Sequence, residues 1–334
     1  MSVKFALLGA GRIGQVHARA ISRVGAAELV AVYDPFDTAV AAVQDIARCD
    51  SRSVEDIEQA EDVDAVLICT PTDTHADLIE CFARAGKAIF CEKPIDLDLD
   101  RVRACLRVVE ECGAKLMVGF NRRFDPDFLA VKAAIDAGEV GDVEMVSITS
   151  RDPGPPPVDY IKRSGGMFRD MTIHDFDIAR WLLGEDVDAV VATSSVLVDP
   201  AIGAAGDVDS ANVILTTASG RQCTISNSRR AAYGYDQRIE VLGAQGAVAV
   251  ENTHKSRIVV ADAQGYKRPP LQDFFMTRYA DAYAAEIEDF VAWLGGADID
   301  LPSGQDGLMA LALAEAAERS VKEKRVVQML EILS

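Results

Sequence analysis

Short apolar runs alternate with helical patterns through the first 120 residues of this chain. The apolar runs are VKFALLG, ELVAVYD, DAVLICT, AIFCE and KLMVGF. Each is continuously apolar rather than alternating, which is typical of parallel strands that are buried on both faces of a sheet. The alternation of strands and helices therefore predicts an α/β domain built on a buried parallel sheet.

The first apolar run leads into GAGRIG, directly ahead of a predicted helix. In such a motif Gly9 permits a tight turn, Gly11 lets a pyrophosphate approach the backbone, and Gly14 lets the helix pack on the strand. The free N–H groups of the helix N-terminus favour a phosphate. We therefore predict a dinucleotide site at Gly9, Gly11, Arg12, Ile13 and Gly14. The alternative is a glycine-rich turn without a ligand.

The second apolar run ends in Asp34, twenty residues beyond Gly14. A carboxylate at this position accepts hydrogen bonds from the ribose hydroxyls of the adenosine, and it would repel a 2′-phosphate. The next residues, Pro35 and Phe36, offer no cation that would neutralise such a phosphate. The sequence therefore predicts NAD rather than NADP as the cofactor.

Two later strand ends bring further polar residues to the same edge of the predicted sheet. They are CTPTDTH at residues 69–75 and AIFCEKP at residues 88–94. Because the carboxyl ends of parallel strands face the cofactor, we predict that these ends contribute Thr70, Pro71, Thr72, His75, Glu92 and Lys93 to cofactor binding. The alternatives are that Thr72 or Asp73 caps the next helix, that His75 is structural, and that Lys93 points to water.

The stretch MFRDMTIHDFDIARW, residues 167–181, has the pattern of an amphipathic helix, yet it carries three carboxylates and one of only four histidines. Positions four apart lie on one helix face, so Asp170 and His174 are expected to be neighbours, with Asp177 continuing the stripe. This face is either an ordinary solvated surface or an acid–base pair over a substrate. Histidine suits the second role, since its ordinary pKa lies near neutral pH.

The motifs GAGRIG, CTPTDTH and CEKP, in this order and spacing, resemble the GFO/IDH/MocA family of NAD(P)-dependent oxidoreductases. The resemblance covers the full chain length. It is strengthened by VGFNRRFDPDF (118–128), by residues 150–177 and by YGYDQRIEV (233–241). It implies NAD-dependent oxidation of a cyclic polyol, myo-inositol in the first place, with Lys93, Asp170 and His174 as the catalytic residues.

The resemblance also implies the architecture of the second half of the chain. A Rossmann domain over 1–121 would bind NAD, and an α/β domain with a large, mostly antiparallel open sheet over 122–334 would serve substrate binding and oligomerisation. The sequence agrees, because strand-like runs such as VEMVSITS and SANVILTTA follow Phe128. Two helices, over about 278–294 and 304–323, are expected to close the chain.

A polyol carries many hydroxyls and no charge, so its site needs several polar side chains rather than one cationic clamp. Beside the three catalytic candidates, we predict substrate contacts from Arg123, Asp152, Tyr160, Asp177, Tyr233 and Tyr235. Which of the two tyrosines in YGYDQR points inward stays open, and Arg123 is also suited to a salt bridge. No metal is predicted, since the sequence shows no His/Cys cluster.

The formal net charge of −19 argues against nucleic acid or an anionic membrane surface as a partner. Seven cysteines without a CxxC pair indicate reduced thiols, and no apolar run is long enough for a membrane span, so we expect a soluble cytoplasmic protein. The resemblance implies a homo-oligomer, a dimer or a tetramer, paired through the open sheet. The alternative functions are oxidation of another inositol stereoisomer or of a pyranose, a non-catalytic NAD-binding sensor, and redox-neutral use of NAD.

Overall fold

A computed structural model describes residues 2–334 of the chain. The strands, in chain order, are β1 Val3–Leu8, β2 Ala27–Tyr33, β3 Asp50–Ser51, β4 Ala65–Ile68, β5 Ala88–Glu92, β6 Leu116–Gly119, β7 Val143–Arg151, β8 Val187–Ser195, β9 Ser210–Thr217, β10 Gln222–Ser228, β11 Asp236–Gly243, β12 Gly246–Val250, β13 Val260–Asp262, β14 Gly265–Lys267 and β15 Val327–Gln328.

The α-helices, again in chain order, are α1 Arg12–Arg23, α2 Asp37–Gln44, α3 Val54–Gln59, α4 His75–Arg84, α5 Leu99–Cys112, α6 Pro126–Asp136, α7 Val158–Ser164, α8 Ile173–Leu183, α9 Pro200–Ala204, α10 Phe275–Arg278, α11 Ala280–Leu294, α12 Gly304–Glu323 and α13 Leu330–Leu333. Two short 3₁₀ turns, Thr72–Thr74 and Asn121–Phe124, and a π-helical turn, Phe168–Thr172, complete the regular structure. Within residues 2–334, no helix is both long enough and apolar enough to cross a membrane.

The first of two compact units comprises the chain up to Asp125 together with Ala280–Leu311. Its six parallel strands lie in the order β3-β2-β1-β4-β5-β6. The four residues of β4 are all completely buried, as are Phe5 to Leu8 in β1, which explains why these strands read as continuous apolar runs. The predicted parallel sheet is confirmed. Its strand order reverses beside β1, where ligands bind in folds of this type.

Helix α11 joins this unit from the far end of the sequence by packing on α1. The ring of His17 in α1 is completely buried, edge-on to Phe90 and Tyr283. Its Nε2 lies 2.7 Å from Oε1 of Glu92, and its Nδ1 lies 3.7 Å from Oε1 of Glu286. Two acidic side chains thus face one buried imidazole from opposite sides.

Glu286 is the more deeply buried of the two acids. Among residues 2–334, neither of its carboxyl oxygens has a hydrogen-bond partner. Burial, and secondly the charge of Glu92, raises the pKa of Glu286 well above its ordinary value. Glu286 therefore holds its proton to a higher pH in the folded protein than in the unfolded chain.

The second unit comprises Pro126–Tyr279 and Ala312–Ser334. Its seven-stranded sheet has the order β12-β11-β7-β10-β9-β8-β15, and every neighbouring pair is antiparallel except β7 with β10. Helix α8 packs on β7 and β10, so one face of these strands is buried. The opposite face is exposed and carries Met145, Ile214 and Leu242. The predicted large, mostly antiparallel open sheet is confirmed.

The closing helices were also predicted correctly, since α11 and α12 fall within two residues of the predicted limits. The exposed hairpin of β13 and β14 was not predicted. All its residues are exposed, so it lacks the half-buried alternation by which strands are recognised in a sequence.

We expect replacement of Glu286 by Gln, which mimics the protonated acid, to change how stability depends on pH. An unfolded Glu loses its proton above about pH 4.3, whereas the folded Glu286 holds its proton to a higher pH, so wild-type stability relative to E286Q should fall as the pH rises. The slope should approach about 1.4 kcal/mol per pH unit. Urea unfolding between about pH 5 and pH 8 measures it. The control is E288Q, on the exposed side of α11, and parallel curves for wild type and E286Q would contradict the assignment.

Candidate active site

The loop between β1 and α1 has the close contacts that require glycine. A Cβ on Gly9, whose φ is +94°, would lie 2.5 Å from the carbonyl oxygen of Cys69, and one on Gly14 would lie 2.0 Å from that of Gly9. A Cβ on Gly11, by contrast, would meet nothing within 4 Å. Gly9 and Gly14 therefore hold the loop against the sheet, while Gly11 leaves open space for a ligand.

The N-terminus of α1 is suited to the anionic group that this space would receive. Gly11 is its N-cap residue and provides no side-chain cap, and the first turn contains no acid. Arg12 is exposed and Ile13 is half-buried in that turn. Unsatisfied N–H groups and the helix dipole thus point toward the loop, which fits the pyrophosphate of NAD.

Asp34 lies at the end of β2, beside the glycine loop. Its Oδ2 accepts a hydrogen bond of 2.8 Å from the backbone N–H of Ala10, and its Oδ1 accepts one of 3.0 Å from that of Phe36. A carboxylate held in this way keeps further acceptor capacity for ribose hydroxyls. The adjoining Phe36 is exposed and uncharged, so it gives no support for a 2′-phosphate.

The loops after β4 and β5 are joined by the buried ring of His75. Its Nε2 lies 2.8 Å from the carbonyl oxygen of Thr70, and its Nδ1 lies 2.8 Å from that of Pro94. Pro71 and Thr72 directly follow Thr70 in the chain. Thr74 Oγ1 donates a 2.6 Å hydrogen bond to Thr70 Oγ1. Thr72 begins a 3₁₀ turn, and no side-chain cap is found there or at the start of α4, within the described chain. The ring thus holds both loops together.

Lys93 follows β5 directly, between two residues that are held in place. Its predecessor Glu92 contacts His17, and the carbonyl of its successor Pro94 contacts His75. Lys93 itself is half-buried, in contrast to a fully solvated strand-end lysine. The two buried histidines thus fix the backbone on either side of Lys93.

Arg123, predicted to contact substrate, has a structural partner in the first unit. Its Nη2 donates a 2.9 Å hydrogen bond to Oδ1 of Asp306, in the first turn of α12. Burial alone would raise the pKa of Asp306, but Arg123 and the hydrogen bonds from Ser303 lower it to about 2. The salt-bridge alternative for Arg123 therefore has direct support.

The segment with Asp170 and His174 is helical, but not in the predicted form. Asp170 lies in the π-helical turn Phe168–Thr172, and His174 lies in the first turn of α8. A π turn holds more residues than an α turn, so the α-helical spacing argument for the pair does not apply across it. Both side chains are half-buried, and Tyr160 OH donates a 2.8 Å hydrogen bond to Oδ1 of Asp170.

A buried polar network anchors α8 to the sheet of the second unit. Asp175, which has no exposed surface, accepts hydrogen bonds from Ser150 Oγ at 2.6 Å and from Asn227 Nδ2 at 2.8 Å. Asn227 Oδ1 also accepts a 2.7 Å hydrogen bond from Thr172 Oγ1, and Ser150 Oγ lies 3.1 Å from Oε1 of Gln237. The network fixes the rotation of the helix that carries His174.

This network was not predicted, although the strands contain a signal for it. Ser150 pairs across the sheet with both Asn227 and Gln237, and each occupies the inward side of its strand. A polar residue at an inward position of three neighbouring strands indicates a buried polar partner above them. The pairing of the strands had to be known before this signal could be read.

The remaining substrate candidates lie in different environments of the second unit. Asp177 is completely buried, and Asp152 is half-buried, with its N–H bonded to the carbonyl of Ser228. Tyr235 packs edge-on against Phe274 and Tyr279, so it belongs to an aromatic cluster of the interior. Tyr233 is 50 % exposed, and its hydroxyl donates a 2.6 Å hydrogen bond to Asp236.

A cavity of about 470 Å³ lies where β7, β8 and β10 end and β9 begins. Of the predicted substrate residues, Tyr233 alone lines it, together with Arg151 and several serines. Asp170 and His174 do not line the cavity, although Asn227, which bonds the carboxylate of Asp175 next to His174, does. Within residues 2–334, no group of three or more His, Cys, Asp or Glu side chains could hold a metal ion.

The parallel sheet and the glycine loop define a dinucleotide-binding protein, and comparison with known proteins gives the family. The profile of the oxidoreductase family with an NAD-binding Rossmann fold matches residues 3–120, and that of the GFO/IDH/MocA C-terminal domain matches residues 128–249. The chain belongs to the GFO/IDH/MocA family of NAD-binding oxidoreductases. The family resemblance and the NAD prediction are thus confirmed.

Three relatives show how far the similarity extends. The chain is 67% identical to an inositol 2-dehydrogenase of Rhizobium meliloti (strain 1021), over 98% of this chain and 99% of that one. It is 43% identical to a myo-inositol 2-dehydrogenase of Thermotoga maritima, over 99% and 100%. A crystal structure of scyllo-inositol dehydrogenase from Lactobacillus casei, with bound NAD(H) and scyllo-inositol, has a TM-score of 0.91 at 28% identity, over 99% and 100%.

We expect the double substitution D34A/F36R to shift the cofactor preference toward NADP. It removes the carboxylate that would repel a 2′-phosphate and adds a cation close by. The ratio of kcat/KM for NADP to that for NAD should rise by about tenfold to a hundredfold. The ratio is the readout because the backbone N–H of Ala10 also loses its acceptor, and this loss weakens the binding of both cofactors. F36R alone, with Asp34 in place, is the control, and an unchanged ratio in the double variant would mean that Asp34 does not contact ribose.

We expect N227A to lower the free energy of unfolding by about 2 to 3 kcal/mol, since it deprives the buried carboxylate of Asp175 of a donor. Urea denaturation measures the loss. The matched control is N212A, which changes an exposed asparagine on the neighbouring strand β9. The free energy of unfolding of this variant should stay within about 0.5 kcal/mol of that of the wild type. Equal effects at the two positions would argue against the anchoring role of the network.

Proposed function

We propose that this protein oxidises myo-inositol to 2-keto-myo-inositol with NAD. The observation that carries the proposal is the 67% identity, over nearly the full length of both chains, to an inositol 2-dehydrogenase. The glycine loop with its open position at Gly11, and the helical segment that holds Asp170 and His174, supply the groups that such a reaction needs.

In the proposed mechanism, His174 accepts the proton of the hydroxyl that is oxidised, at an imidazole nitrogen. Asp170 orients the imidazole and stabilises its protonated form, as the acidic member does in other base–orienter pairs. Lys93 donates a hydrogen bond to the reacting hydroxyl and polarises it. NAD, when bound, supplies the acceptor for the hydride that leaves carbon.

We assign cofactor binding to residues 1–121 and substrate binding and oligomerisation to residues 122–334, of which Ala280–Leu311 belongs to the first compact unit. The proposed cofactor contacts come from the glycine loop, from Asp34 and from the ends of β4 and β5: Gly9, Gly11, Arg12, Ile13, Gly14, Asp34, Thr70, Pro71, Thr72, His75, Glu92 and Lys93. Gly11 contributes space, Asp34 a carboxylate for ribose, and His75 the linkage between two loops.

The proposed polyol contacts, beside the three catalytic residues, are Arg123, Asp152, Tyr160, Asp177, Tyr233 and Tyr235. Tyr160 has the best support among them, because its hydroxyl bonds Asp170 while 46 % of the residue is exposed. Support is weaker for Arg123, which pairs with Asp306, and for Tyr235, which packs in an aromatic cluster. Tyr233 is the more accessible of the two tyrosines of YGYDQR.

The second candidate function keeps the chemistry and changes the substrate. A structural relative binds scyllo-inositol, so oxidation of that isomer, of another inositol or of a pyranose is the principal alternative. A non-catalytic sensor would use the glycine loop and Asp34 but would have no use for Lys93, Asp170 and His174 together. The joint presence of these three residues favours an enzyme.

We also propose a homotetramer, with a dimer as the alternative, that pairs through the exposed face of the second sheet. Met145 and Leu242 lie side by side on this face, and an exposed apolar sheet face is commonly covered by another subunit. A cytoplasmic location is proposed as well. Its support is that all seven cysteines are free thiols, which suits a reducing compartment.

NADH formation across myo-, scyllo- and D-chiro-inositol and D-glucose, with NAD or NADP, tests this function. Wild type should prefer myo-inositol with NAD. H174Q should lower turnover by about two to four orders of magnitude near neutral pH, because it removes the general base. NADH binding, followed by fluorescence, should stay nearly unchanged.

H254Q serves as the histidine control, since His254 bonds the carbonyl of Pro269 and has no proposed role in the reaction. Activity on another substrate alone would replace the substrate assignment and keep the mechanism. Full turnover in H174Q would disprove the assignment of the base.

A further inference from the structure

Arg229, which follows β10, is an arginine enclosed in the second unit with only 1 % of its surface exposed. Its guanidinium faces two carboxylates: Nη1 lies 3.5 Å from Oδ2 of Asp170, and Nη2 lies 3.6 Å from Oδ2 of Asp207. Within the described chain, its Nε and Nη2 have no hydrogen-bond partner. Burying a charge in this way is costly, and replacing such groups by apolar ones often costs no stability. A contribution to stability therefore does not account for a buried arginine at this position.

Asp207 contacts the start of the helical segment that carries Asp170 and His174. Its Oδ1 accepts a 3.0 Å hydrogen bond from the backbone N–H of Met167, one residue before the π-helical turn. Gly166 has a φ of +81°, and a Cβ there would lie 2.8 Å from Oδ1 of Asp207. The glycine thus allows the close approach of Asp207, which contacts both the backbone of the segment and Arg229.

Arg229 faces Asp170 from the interior, whereas the arginine next to Asp170 in sequence pairs elsewhere. Arg169, next to Asp170 in sequence, pairs instead with Glu318 in α12. Burial raises the pKa of Glu318, while Arg169 opposes the shift and the charge of Asp207 adds to it. The other carboxyl oxygen of Asp170 receives the hydroxyl of Tyr160. Asp170 is therefore held by Tyr160 at its more exposed side and faces Arg229 at its buried side.

We propose that Arg229 is a positioning residue, which acts on the reaction through Asp170, and that Asp207 keeps both the guanidinium and the first turn of the segment in place. The inference rests on the proposed function, in which Asp170 orients the imidazole of His174. Arg229 holds one carboxyl oxygen of Asp170 from the protein interior, so the carboxylate cannot rotate freely. It is assigned no contact with substrate or cofactor.

A double-mutant cycle between Arg229 and Asp170 tests this role. If Arg229 acts through Asp170, R229Q should lower kcat by about tenfold to a hundredfold, the scale of a misplaced catalytic group. The double variant R229Q/D170N should then be no more than about twofold slower than D170N alone. KM for NAD should change by less than about twofold. Losses that multiply in the double variant would overturn the proposal.

Two further variants separate the role of the charge from that of the fold. R229K keeps the charge but loses the planar fork that faces two carboxylates, so its kcat should lie between those of wild type and R229Q. R230Q changes the neighbouring exposed arginine and should leave kcat unchanged. If R229Q does not fold, the cycle is run with D207N and D170N, and the loss caused by D207N should disappear in the D170N background. A full loss from D207N in that background would refute the role.

The cycle also distinguishes this inference from the proposed function. If wild type oxidises no polyol, the function fails, and the contact is tested by urea unfolding of the same four proteins. Destabilisation by R229Q and D170N should then be clearly non-additive. Additive destabilisation would refute the contact itself. Normal wild-type turnover with multiplying kinetic losses would refute the role of Arg229 alone and leave the function intact.

Discussion

The hydrogen bonds to the buried carboxylate of Asp175 are the interaction on which the candidate site of the second unit depends. Ser150 and Asn227, from two adjacent strands, meet this carboxylate on α8. A buried carboxylate without donors is costly, so only one rotation of the helix satisfies all its partners. Apolar packing alone would tolerate small rotations, whereas this network does not. The orientation of the helix that carries His174 is thereby fixed by contacts from the sheet.

Each unit contains charged or ionisable groups in its interior, and these groups lie next to candidate functional residues. In the first unit, His17 holds Glu92 beside Lys93; in the second, Arg229 faces Asp170. Such groups contribute little net stability, because desolvation offsets their mutual attraction. They do give the neighbouring side chain or backbone a defined position. The burial of these charged groups therefore costs free energy at positions where the proposed chemistry depends on orientation.

The parts of the fold that repeat locally could be predicted from the sequence. Continuous apolar strands, GAGRIG and Asp34 each carry their signal within a few residues, and the parallel sheet and NAD followed from them. Contacts between distant residues carry no such signal: Arg229 and Asp170 meet only because β10 ends beside the helical segment. The π-helical turn at Phe168–Thr172 could not be foreseen either, since the apolar pattern of the segment also suits an α-helix. Arg123 was ambiguous in the sequence, and its partner Asp306 lies far along the chain.

The composition of the first unit from two separate stretches has a consequence for the order of folding during synthesis. Helix α1 emerges from the ribosome early, but α11, which covers it beside His17, is made only after Tyr279. Until then the apolar side of α1 has no permanent cover. The second unit also waits, because it includes Ala312–Ser334. The first unit therefore cannot be completed before Leu311 has been made, and the second cannot be completed before Ala312–Ser334 has been made, so apolar surface of both stays uncovered in the meantime.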